Sequence, residues 1–125
     1  MKILIVDDSK VGRMLVIRAL SAAGFVDHEL EHASNGVEGL AAVKRIHPDL
    51  VLSDLNMPQM DGMEFLRTLR RRGDAPPFVF VTSEGTEQTY EEAMAAGAEG
   101  LIVKPYTPVR FQAMLGRFLG TDVAI

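Results

Sequence analysis

The stretch Ile3-Leu4-Ile5-Val6-Asp7-Asp8 decides the fold. Four aliphatic residues without polar alternation suit a strand buried on both faces, the environment of a parallel sheet rather than an antiparallel one. The run is far short of the roughly 18 apolar residues of a membrane span. It also lacks the longer apolar region and small-residue cleavage site of a secretory leader. The pattern recurs at Leu50-Val51-Leu52, at Phe78-Val79-Phe80-Val81 and at Leu101-Ile102-Val103, with a more polar version from His28 to Ala33. Segments of about ten residues, rich in Ala, Leu, Met, Glu and Arg, separate these runs and have the length and composition of helices. Five strands alternating with helices predict an α/β domain with right-handed crossovers and helices on both faces of the sheet.

Composition narrows the function. The 125 residues suffice for one domain with its own core, read here as spanning 1–125. The absence of Cys excludes disulfide frameworks, thiol catalysis and thiolate-based zinc sites. A net charge of −4 gives no reason to expect direct nucleic-acid binding. A cytoplasmic protein without membrane insertion is expected. The second run, His28-Glu29-Leu30-Glu31-His32, is charged enough to belong at a sheet edge. On a strand its two histidines would lie about 13 Å apart, too far to share a metal.

The positions of the acids carry more information. Asp7 and Asp8 follow the first strand, and Asp54 follows Ser53 at the end of the third. Ligands of open parallel sheets bind beyond the carboxyl ends of the strands, where the strand order reverses. If the order is 2-1-3-4-5, that point lies between the first and third strands, and the acids would share one crevice. Carboxylates so placed repel one another unless a cation or proton intervenes, and an all-oxygen site suits Mg²⁺. The fourth strand ends on Thr82-Ser83 and the fifth on Lys104-Pro105, bringing a hydroxyl and an ammonium to the same rim. Such donors can hold the oxygens of a phosphoryl group, and carboxylates are known phosphoryl acceptors.

Asp7-Asp8, the segment Asp54-Leu55-Asn56-Met57-Pro58-Gln59-Met60-Asp61-Gly62, Thr82 and Lys104-Pro105 together resemble the receiver domain of two-component response regulators, over the full chain. The resemblance implies a flavodoxin-like (βα)5 three-layer sandwich with a five-stranded parallel sheet of order 2-1-3-4-5. It implies Asp54 as phosphoacceptor, with Thr82 and Lys104 binding the phosphoryl oxygens. It further implies Mg²⁺ held by Asp7, Asp8, Asp54 and the backbone carbonyl of Asn56, a cis Lys104–Pro105 bond, and Asp61-Gly62 opening the third helix. The implied donor is a sensor histidine kinase or a histidine phosphotransfer protein, and the output is binding to a downstream protein target. The protein would be a signalling module, monomeric or weakly dimeric.

Asn56 and Glu84 stand two residues beyond Asp54 and Thr82, where the family tunes water access to the phosphoryl group; the pair resembles the chemotaxis subgroup. Leu101 departs from that subgroup, which usually places an aromatic ring there as a switch coupled to the threonine. Tyr106 is not at an equivalent position. The expected reading is a stand-alone regulator, chemotactic or a phosphorelay intermediate. Its alternatives are a receiver cut from a larger regulator or an aspartate-based phosphohydrolase. The latter usually carries Asp-x-Asp after its first strand, where this chain has Asp-Asp. A flavodoxin-like electron carrier is disfavoured because Asp7-Asp8-Ser9-Lys10 would repel an FMN phosphate.

Helical periodicity places Gly12, Leu15, Val16, Ala19 and Ala23 towards the sheet. Met14 and Ile17 fall opposite, beside Lys10 and Ser21, as candidates for docking the phosphodonor. Glu87, Glu91 and Glu92 form a solvated face on the fourth helix. Phe111, Leu115 and Phe118 are core positions of the fifth, which begins near Thr107-Pro108. Arg70-Arg71-Arg72 closes the third, where positive charge complements the helix dipole.

Overall fold

The computed structural model describes residues 1–119. The chain alternates strictly: β1 (Lys2–Val6), α1 (Lys10–Ala22), β2 (Glu29–Ala33), α2 (Gly36–Ile46), β3 (Leu50–Ser53), α3 (Gly62–Arg71), β4 (Phe78–Thr82), α4 (Glu87–Ala96), β5 (Gly100–Val103) and α5 (Pro108–Leu119). All pairings are parallel, in the order β2-β1-β3-β4-β5. The charged β2 is indeed an edge strand. It begins at Glu29, so His28 precedes it.

Side-chain alternation along the strands divides the core into two layers. Leu4, Val6, Val51, Phe78, Phe80 and Leu101 face α2, α3 and α4. Ile3, Ile5, Leu50, Leu52, Val79 and Ile102 face α1 and α5. Phe65, Phe78 and Phe80 stack edge to face in the first layer, with centroids 5.4 and 5.0 Å apart. Each of the first four helices begins with a side-chain cap: Ser9, Asn35, Asp61 and Thr86 accept from the backbone N–H three residues on. Asp61 is thus the cap of α3.

Two helical faces differ from the periodicity reading. On α1 the inward arc is Val16, Ala19, Leu20 and Ala23, which turns Ile17 onto the core and leaves Leu15 49% exposed. Met14 is exposed as expected. The helix is rolled towards Leu20, a roll that spacing alone cannot specify because Ile17 and Leu15 flank the arc on opposite sides. On α5, Phe111, Leu115 and Leu119 are buried at four-residue intervals, while Phe118 packs against the same core only in part, with the Arg117 guanidinium 4.5 Å over its ring.

Arg70 is more than a charge at a helix end. Its guanidinium donates to the carbonyls of Asp74, Pro76 and Gly97 at 3.1, 3.1 and 2.9 Å and lies 3.4 Å from Glu99. It ties the α3–β4 and α4–β5 loops together at the end of the sheet remote from the acids.

Gly62 brings α3 against β3. A Cβ there would collide with the Asp54 carbonyl and lie 2.9 Å from the Phe80 ring. The first obstacle is backbone and cannot rotate away. Gly62→Ala should therefore lower the unfolding free energy by about 1–3 kcal/mol in urea denaturation; an unchanged midpoint would contradict this packing.

Candidate functional site

Register builds the site. Val6 pairs with Ser53 across β1 and β3, so Asp7 and Asp54 emerge side by side at the carboxyl edge. The Asp54 N–H donates to the Val6 carbonyl at 2.9 Å and the Asp7 N–H to the Ala33 carbonyl at 3.0 Å, fixing both backbones. On the far side, Thr82 pairs with Val103, and the Lys104 N–H donates to the Thr82 carbonyl at 2.8 Å. The Lys104–Pro105 bond is cis.

The Lys104 side chain crosses the rim to the acids. Its Nζ stands 3.1 Å from Asp54 Oδ2 and 3.6 Å from Asp7 Oδ2. Asp54 Oδ1 accepts from the Leu55 N–H at 2.7 Å, and Asp7 Oδ1 from the Ser9 N–H at 2.8 Å. Asp7 is only 4% exposed, whereas Asp8 lies at the surface, bordering an open crevice with Asn56, Met57, Pro58 and Asp61.

Burial raises the Asp7 pKa above the ordinary carboxylate value. The Ser9 N–H and Lys104 oppose that rise, while the charges of Asp54 and Asp8 add to it. For Lys104, burial favours the neutral form, but hydrogen bonding and attraction to Asp54 and then Asp7 outweigh it and leave the pKa raised. The ammonium therefore stays charged and offsets only part of the repulsion among three carboxylates. Among the described residues no three acidic or histidine groups already form a closed metal cluster. The donors are nonetheless hard oxygens carrying excess negative charge, which fits Mg²⁺, an ion that takes one or two carboxylates and keeps several waters.

The residues expected to tune the site touch one another. Asn56 Nδ2 donates to Glu84 Oε1 at 2.8 Å, and the Glu84 N–H donates to Thr82 Oγ1 at 3.2 Å. Thr82 itself is fully buried. Leu101 is buried in the layer under α4, but Tyr106 packs in the other layer, its ring 4.6 Å from Phe111. The sheet separates them, so Tyr106 cannot enter the space under α4 that a ring at position 101 would reach. Burial raises the Tyr106 pKa; Lys104 opposes this and Asp7 adds to it.

Three features escaped the sequence reading. Gly12 lets the first turn of α1 approach Asp7, since a Cβ there would lie 2.5 Å from its Oδ2. Arg13 donates to the Asp7 carbonyl. A largely apolar groove lined by Gly12, Leu15, Ser83, Lys104, Pro105 and Tyr106 opens beside the acids. A glycine four residues after an acid pair was the one available signal; the groove depends on the roll of α1.

Comparison with known proteins agrees with this geometry. Residues 3–116 match the family described as response regulator receiver domain. The chain is 32% identical over 121 residues to a probable chemotaxis protein CheY of Rhizobium etli, covering 95% of this chain and 92% of that one. It is 35% identical to the response regulator MprA of Mycobacterium leprae, where it spans 55% of the longer protein. The solved structure of chemotaxis response regulator CheY4 of Vibrio cholerae superposes with a TM-score of 0.81 at 37% identity, covering 94% of this chain and 98% of that one.

The Asp7 shift has a definite sign. The folded state binds this proton more tightly than the unfolded chain, so stability falls as pH rises from the ordinary carboxylate value through the raised one. Above that window the full cost of the buried charge applies. Asp7→Asn should therefore melt higher than the parent in EDTA at neutral pH, and should lose any rise on adding Mg²⁺. A lower midpoint in EDTA would contradict the burial argument.

Proposed function

This chain belongs to the response regulator receiver family of two-component signalling, and from that premise we propose that Asp54 accepts a phosphoryl group from a phosphohistidine. The observation that carries the reading is the Lys104 ammonium held against Asp54 and Asp7 at the reversal point of the sheet. An Asp54 oxygen attacks phosphorus in line with the departing imidazole nitrogen; the O–P bond forms as the N–P bond breaks. Lys104 is already within reach of the attacked group and can transfer its hydrogen bonds to the new phosphoryl oxygens. The Thr82 hydroxyl supplies a further donor once the loop over it moves.

Asp7, Asp8, Asp54 and the Asn56 carbonyl would hold Mg²⁺, which neutralises repulsion between the incoming phosphoryl oxygens and the acids. The Asn56–Glu84 bond spans the loops after β3 and β4, and so links pocket occupancy to the position of α4. Leu101 carries no ring or hydroxyl to report that movement, which leaves the β4–α4 loop as the principal readout.

The donor is a sensor histidine kinase or a histidine phosphotransfer protein, and residues 1–125 serve as one receiver in the cytoplasm with a protein target downstream. No described helix is long and apolar enough to cross a membrane. Similarity along almost the whole of two chemotaxis regulators supports a chemotaxis-type role; relay to a second histidine is the other use of the same chemistry. The exposed Val11, Met14 and Leu15, beside the groove that reaches Lys104, make an apolar docking strip for the donor. Ile17, partly buried against the core, is a lesser candidate for this strip than Met14.

Intact-mass spectrometry with a small phosphodonor and Mg²⁺ should show one phosphoryl adduct on the parent and none on Asp54→Asn; an undiminished adduct on the variant would sink the assignment. Leu15→Asp should slow transfer from the cognate histidine donor about tenfold or more, as loss of a docking anchor does, with acetyl phosphate labelling unchanged. Equal slowing in both assays would place Leu15 in the chemistry or the fold instead.

A further inference from the structure

Every polar atom of the Asp7 main chain and carboxylate is engaged. Its N–H donates to Ala33, Oδ1 accepts from the Ser9 N–H, and Oδ2 faces the Lys104 ammonium. The remaining atom, the carbonyl oxygen, accepts from Arg13 Nη1 at 2.6 Å. Ala33 and Ser9 act through main chain, and Lys104 belongs to the phosphoryl machinery. Arg13 is thus the side chain outside that machinery on which the position of Asp7 depends.

The carbonyl it grips belongs to the peptide joining Asp7 to Asp8. That unit is planar, so holding its oxygen also orients the Asp8 N–H and places the Asp8 Cα. Asp8 is exposed and borders the crevice opposite the β3–α3 loop. A short bond from a charged donor is strong enough to set such a plane.

The arginine is not an obvious choice for stability. It is half-buried, and its Nε lies buried without a hydrogen-bond partner among the described residues. A buried unsatisfied donor is unfavourable and calls for a reason. Its charge sits at the Asp7 carbonyl rather than at a carboxylate. Lys104 faces carboxylate oxygens, whereas Arg13 adds positive charge at the carbonyl and occupies no carboxylate oxygen.

We propose that Arg13 is a positioning residue for the cation site: by holding the Asp7–Asp8 peptide it sets Asp7 and Asp8 for Mg²⁺, although it touches neither the ion nor the phosphoryl group. This rests on the reading of the acids as a Mg²⁺ site and goes beyond it by naming what aligns them. Outer residues that orient metal ligands commonly alter affinity by about 10–100-fold when removed.

The sign of the effect separates positioning from charge. Removing a cation beside three carboxylates would, by Coulomb attraction alone, tighten Mg²⁺ binding. Loss of alignment weakens it. Isothermal titration with MgCl₂ on the parent, Arg13→Lys and Arg13→Met measures both, with thermal melts in EDTA reporting the fold. Arg13→Lys keeps the charge but not the planar guanidinium. The expected result is binding weakened about tenfold or more in both variants. Lowered melting points with unchanged Mg²⁺ affinity would make Arg13 merely structural and overturn the proposal. So would tighter binding by Arg13→Met with parental affinity in Arg13→Lys. If Arg13→Met does not fold, Arg13→Lys decides alone, since unchanged affinity there is also fatal. A parent that binds no Mg²⁺ would overturn the underlying reading as well, which distinguishes the two failures.

Discussion

Repulsion among carboxylates at the carboxyl edge of the sheet is the constraint around which this molecule is arranged. Asp7, Asp8 and Asp54 sit close enough that the charges of the other two help to raise the Asp7 pKa, on top of the larger effect of its burial. One ammonium, Lys104, lies between Asp54 and Asp7, and hydrogen bonds from Ser9 and Leu55 hold the outer oxygens. These contacts leave the crevice short of positive charge. A folded state that carries such a deficit at neutral pH stands to gain from a bound cation.

The scaffold keeps that deficit in place through close backbone approaches. Gly62 lets α3 press against the Asp54 carbonyl, and Gly12 lets α1 press against the Asp7 carboxylate. Neither acid can relax away from the other without moving a helix that is capped and packed. Charge strain at the edge is therefore borne by two hydrophobic layers beneath it, in which Phe65, Phe78, Phe80 and Phe111 are fully buried. The core lies beneath the acids, and the β3–α3 and β4–α4 loops above it are joined by the Asn56–Glu84 hydrogen bond.

The two layers also constrain how a response can travel. Leu101 lies under α4, whereas Tyr106 packs beside Phe111 on the other side of the sheet. A ring on the wrong face cannot report on the β4–α4 loop, however close it is in sequence to Lys104. On that side the Glu84 N–H bonds the Thr82 hydroxyl, and the aliphatic Leu101 is buried in the layer beneath α4. The groove beside Tyr106 opens on the α1 side, lined there by Gly12 and Leu15.

Much of this was legible in the residues themselves. Uninterrupted aliphatic runs identify doubly buried strands because a parallel sheet offers no solvated face. Carboxylates directly after two such runs, with a hydroxyl and an ammonium after two others, point to one rim because all parallel strands end on the same side. What alternation and spacing could not decide was rotation and reach. Ile17 and Leu15 flank the buried arc of α1 on opposite sides, and only packing against the sheet and α5 selects which turns inward. Arg70 reads in sequence only as a charge at a helix end, and Arg13 carries no signal at all, because their acceptors are carbonyls on other segments and a carbonyl leaves no mark in the amino-acid alphabet. Local periodicity and strand-end chemistry determined the architecture and which polar side chains meet at one rim. Helix roll, close approaches at glycine and side-chain bonds to distant main chain were decided by the tertiary structure, since each depends on surfaces that meet only when the chain is folded.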